Sequence, residues 1–89
     1  MSTKELEQVE LKEQVVRQRE LILHNDDFNT FEHVINCLVS ICDHSELQAE
    51  QCAYIVHHNG KCTVKAGVIE KLEPMYMALK LQQLNAEIK

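Results

Sequence analysis

The sequence contains no apolar run approaching the roughly 20 residues that cross a bilayer. Its opening residues, MSTKELEQVE, have no apolar core of the kind a signal peptide carries, so the cytoplasm is the expected compartment. Lysines and arginines number 9 against 14 aspartates and glutamates, and they form no cluster. A nucleic-acid binder needs a basic face for phosphates, and a net charge of −5 argues against that class. Neither a nucleic-acid nor a membrane partner is expected. The 4 cysteines, Cys37, Cys42, Cys52 and Cys62, include no C-x-x-C pair, and a cytosolic chain keeps its thiols reduced. They read as small buried hydrophobes. A Ser-centred elbow and a Gly-rich phosphate loop are also missing.

With only 2 glycines and 1 proline, most of the chain is expected to be regular structure. Its 89 residues suffice for one domain, and 45% hydrophobic with 26% charged is an ordinary globular balance. Residues 1 to about 18 are polar, with loosely spaced apolar positions, and read as a mobile or weakly helical arm preceding a core over 19–89. Arg19 to His24 holds the continuous apolar run Leu21-Ile22-Leu23, which suits a strand in the middle of a sheet. Asn25-Asp26-Asp27 ends it as a turn. Asn29 with Glu32 resembles a capping box for a helix on which Phe31, Val34, Ile35, Leu38 and Cys42 share a face to about Asp43.

Ser45 and Gln48 give a second capping signal, for a helix with Ala49, Cys52, Ala53 and Val56 on one face. That helix is expected to end at Asn59-Gly60. Cys62, Val64, Ala66 and Val68 alternate as a half-buried strand. Leu72, Met75, Tyr76 and Leu79 mark a third helix with Pro74 in its first turn, and Leu84, Ala86 and Ile88 a closing strand. The order β-α-α-β-α-β makes an α/β domain of the two-layer α+β kind. Its three-stranded antiparallel sheet has strand one central and the helices on one face.

Two segments carry the chemistry: Leu23-His24-Asn25-Asp26-Asp27-Phe28, and Val56-His57-His58-Asn59-Gly60 at the end of the second helix. An L-H-N-D-D-[FY] turn after the first strand, with V-H-x-x-G about thirty residues later, resembles the ClpS family. The resemblance covers residues 19 to 89 and weakens after Gly60. It implies a fold like the C-terminal domain of the ribosomal stalk protein. It also implies an adaptor that binds proteins beginning with Leu, Phe, Tyr or Trp and hands them to a Clp-family AAA+ unfoldase through the unfoldase's N-terminal domain. A monomer without cofactor or metal is expected. By the same resemblance the α-ammonium contacts fall on Asn25, Asp27 and His57, with Asp26 close by. The side-chain pocket falls on Leu23, Phe31, Val34, Ala53 and Val56, plus one of Leu84, Ala86 or Ile88. The family's usual methionine gate is Phe31 here, and a second common methionine is Ala53. Residues before about 19 would serve delivery to the unfoldase.

The residues support that reading independently. A free N-terminus is a cation with three N–H donors, so its receptor needs convergent acceptors. An Asn carbonyl, a carboxylate and a neutral imidazole supply three. Ala53, Val56 and His57 lie on adjoining parts of one helical surface, and Phe31 and Val34 are one turn apart. The competing readings are weaker. His24, His33, Cys37, Cys42 and His44 lack the paired spacing of a structural zinc site. Cys52 and Cys62 belong to apolar faces, poor places for a nucleophile oriented by His57 and Asp27. No catalytic residue is expected. A plain interaction domain of this fold would have no use for three acceptors around a hydrophobic hole.

Overall fold

The structure is a computed structural model and describes residues 17–89. The expected arm over 1–18 lies outside the described residues except for Arg17 and Gln18. The core begins with strand β1 (Arg19–His24), followed by helices α1 (Phe31–Cys42) and α2 (Glu46–Asn59). Strand β2 (Lys61–Gly67), helix α3 (Ile69–Leu81) and strand β3 (Asn85–Ile88) complete it. The sheet order is β2-β1-β3, and both neighbours run antiparallel to β1. A central strand has neighbours on both edges, which accounts for the consecutive buried residues Leu21, Ile22 and Leu23. Leu21 and Leu23 join the helix-covered core with Leu38, Leu72, Leu79 and Leu84, while Ile22 alternates to the other face.

The helix ends follow local chemistry. The Ser45 hydroxyl accepts from the Gln48 amide at 3.1 Å and starts α2. Gly60 closes α2 at φ 91°, where its amide still reaches the Val56 carbonyl. Helix α1 ends on Asp43 in the same left-handed region, at φ 62°. Its start departs from the expected capping box: Thr30 is the cap, accepting from the His33 amide at 3.1 Å. Asn29 therefore sits one residue before the cap, free for other partners.

Two further expectations are corrected. Helix α3 begins at Ile69, directly after β2, so Pro74 lies inside the helix rather than in its first turn. There it removes the N–H that would have reached the carbonyl one turn back. In β2, Leu21 pairs with Lys65 but Ile22 pairs with Thr63, so the register slips past Val64. The extra residue reverses the inward–outward phase: Cys62 and Val64 face inward, but Ala66 is exposed and Gly67 buried. The expected alternation through Ala66 and Val68 fails for that reason. Among the described residues, no helix is long and apolar enough to cross a membrane.

Candidate functional site

The backbone amide of Asn25, just past the end of β1, donates to the Gly60 carbonyl at 2.8 Å. This single bond ties the turn after β1 to the cap of α2. The acidic turn and the last turn of α2 therefore share one end of the molecule. Between them opens a cavity of about 410 Å³. Its polar rim is Asn25, Asp26, Asp27, Asn29 and His57, and its apolar wall is Phe31, Val34, Ala53 and Val56.

Each expected residue except Leu23 thus lines one cavity. Leu23 lies a layer deeper, 1% exposed. It borders a hollow of about 20 Å³ behind the wall, together with Val34, Val56 and Leu84. Of the three candidates at the chain's end, Leu84 is the one that reaches this region. A larger hollow of about 590 Å³ lies at the far end of β1, but the charged Arg17, Arg19, Glu70 and Lys89 dominate its lining.

Wall and rim differ in burial. Ala53 and Val56 are 3% and 4% exposed and form a fixed surface of α2. Phe31, at the first position of α1, is 43% exposed and stands at the mouth. Its ring meets His57 edge-on, with centroids 6.1 Å apart and planes at 77°, a favourable aromatic geometry. His58 lies against Tyr54 with centroids 4.1 Å apart and planes tilted at 44°, and does not line the cavity.

The acidic pair divides its work. Asp26 Oδ1 accepts from the amides of Phe28 (2.9 Å) and Asn29 (2.8 Å), and Oδ2 accepts from Asn29 Nδ2 (2.8 Å). Partial burial pushes the Asp26 carboxyl upward, but those bonds, with a smaller contribution from the field of His33, outweigh it and hold it below its ordinary value. The side chains of Asn25, Asp27 and His57 make no hydrogen bond among the described residues, and all three are exposed to the cavity mouth. Three acceptor-bearing groups without partners, above an apolar wall, can receive a cation that carries a hydrophobic side chain.

Asn29 was not among the site residues expected from sequence, where its position reads as a helix cap. No group of three or more His, Cys, Asp or Glu able to hold a metal occurs among the described residues. Burial raises the thiol of Cys42 to about 11, and burial with the neighbouring Cys52 raises Cys62 to about 11. Thiols held protonated in this way are poor nucleophiles.

Comparison with known proteins bears on this geometry. No curated protein matches the sequence. The fold matches the structure of Agrobacterium tumefaciens ClpS2 bound to L-phenylalaninamide, with a TM-score of 0.76 at 20% identity, over 82% of this chain and 95% of that one. The family model for the ATP-dependent Clp protease adaptor protein ClpS matches residues 7–87. With nearly its whole length matched, the chain belongs to the ClpS family.

Proposed function

We propose that this protein binds polypeptides through a free N-terminal amine and a bulky hydrophobic first side chain, Leu, Phe, Tyr or Trp, and delivers them to a Clp AAA+ unfoldase. The observation that carries the reading is the set of acceptors on Asn25, Asp27 and His57, unpartnered among the described residues, at the mouth of a cavity walled by Phe31, Val34, Ala53 and Val56. The Asn25 carbonyl, the Asp27 carboxylate and a neutral His57 nitrogen would each take one N–H of the ammonium. Asp26 would support the amine site mainly through the turn it braces. Leu23 would back the pocket from beneath rather than touch the ligand's side chain.

The fold relative from Agrobacterium is bound to L-phenylalaninamide, a ligand with a free amine and a phenyl side chain. A receptor for that chemistry needs the two features found together here. Each hydrogen bond to the charged amine is worth about 1.5–3 kcal/mol. Burying a Leu- or Phe-sized side chain adds about 1.5–3 kcal/mol. Ordering costs remove part of that sum, which leaves binding near micromolar or somewhat tighter. The test is fluorescence anisotropy with peptides beginning in Phe, Leu or Ala, and with N-acetylated copies. Tight binding of free Phe and Leu termini alone supports the reading. Equal binding of acetylated and free peptides overturns it.

A further inference from the structure

The turn that carries Asn25 and Asp27 has little backbone support of its own, since residues 25–30 belong to no helix or strand. At its front, the Asn25 amide holds the Gly60 carbonyl. At its back, one side chain does the work. Asn29 Nδ2 donates to Asp26 Oδ2 at 2.8 Å and to the Gln83 carbonyl at 2.9 Å. Both neighbours are acceptors, so the orientation of this amide is dictated: its oxygen in that place would face a carboxylate and a carbonyl. The Gln83 carbonyl is presented by a residue held at φ 66° in the tight connection between α3 and β3. Next to it, His33 Nε2 donates to the Gln82 carbonyl at 3.1 Å.

We propose that Asn29 is a positioning residue for the amine site, and that its carboxamide sets Asn25 and Asp27 over the cavity by locking Asp26 to the α3–β3 connection. This rests on the proposed function of that cavity. Asn29 need not touch the ligand: it fixes the carboxylate around which the turn is folded. The α3–β3 connection thereby becomes a remote support of the amine end of the pocket, although none of its residues lines the main cavity.

The decisive variant is Asn29→Asp in the full chain. It replaces two donors with acceptors facing a carboxylate and a carbonyl, and it adds a negative charge near the amine site. If Asn29 were only a neighbour, that charge would tighten binding of a cation. A positioning role gives the opposite sign. Affinity for a free-amine Phe peptide should fall about tenfold or more, the size of one lost charged hydrogen bond. Asn29→Ala, which loses the donors without adding charge, should weaken binding similarly while melting cooperatively. Gln83→Gly keeps the carbonyl and suits the left-handed backbone, and should bind within about twofold of wild type. Unchanged or tighter binding by Asn29→Asp and Asn29→Ala would overturn the inference and leave the proposed function standing. If wild type itself ignores acetylation, the function falls instead, and amide NMR signals without peptide decide the inference. Displaced Asn25 and Asp27 signals in Asn29→Ala would support it, and unmoved signals would overturn it.

Discussion

Asp26 and Asp27 are adjacent and chemically identical, yet the three donors on Asp26 and the absence of any on Asp27 among the described residues give them different tasks. Replacing Asp27 should therefore cost binding and not folding. Asp27→Asn, and separately His57→Ala, should weaken a free-amine Phe peptide by roughly tenfold to a hundredfold, as loss of a charged hydrogen bond predicts. Their thermal midpoints should stay close to wild type, and anisotropy beside a melting curve checks both. Asp26→Asn should act through stability, because its amide would face the Asn29 amide donor to donor. The folded carboxyl of Asp26 lies below its ordinary 3.8, so the unfolded chain binds the proton more readily in that range. The stability that Asp26 adds over Asp26→Asn is thus fully present well above pH 3.8 and lost as pH falls through the lower folded value. Denaturant midpoints of the two proteins across pH should converge only in acid; convergence near neutrality would refute the assignment.

The strand and helix order, the central place of β1 and the Ser45 and Gly60 caps were legible in the sequence because each rests on local chemistry. A continuous apolar run, a hydroxyl three residues before a helical amide and an Asn-Gly pair state their geometry within a few residues. The cavity residues were reachable through the family resemblance, which a turn motif and a helix-end motif at fixed spacing carry together. Three features were not legible. Asn29 looked like a cap because Asn caps helices well, and only the carbonyl of Gln83, distant in sequence, reveals its other use. Leu84 could not be chosen over Ala86 or Ile88, since that choice depends on where β3 begins. The register slip at Val64 was invisible because alternation continues through it in the sequence. A long-range contact goes with it: His44, 4% exposed, donates from Nε2 to the carbonyl of Val64, the residue the register skips. His44→Phe should leave that buried carbonyl without a donor and cost about 1–3 kcal/mol. The check is a lower denaturant midpoint with an unchanged slope.

For the molecule as a whole, the question is whether recognition and delivery reside in separate parts of the chain. Among the described residues, the lining of the cavity and of the hollow behind it comes from residues 23 to 84, on β1, the turn after it, α1, α2 and the α3–β3 connection. The bonds that set the rim close within the same stretch: Asn25 to Gly60, Asp26 to Asn29, Asn29 to Gln83 and His33 to Gln82. A peptide's first residue is therefore expected to be held by this stretch, without the chain before β1. An adaptor, however, must engage a protease as well as a substrate, and the ClpS resemblance assigns the segment before about residue 19 to delivery. Deleting residues 1–16 should leave affinity for a free-amine Phe peptide within about twofold of the full chain, because no rim or wall group is removed. The same deletion should slow degradation of a Phe-initiated reporter by a Clp unfoldase and peptidase. Anisotropy and degradation measured on one preparation separate the two effects. A large fall in peptide affinity would mean that the first 16 residues complete the pocket. Unimpaired degradation would mean that the described core alone carries delivery.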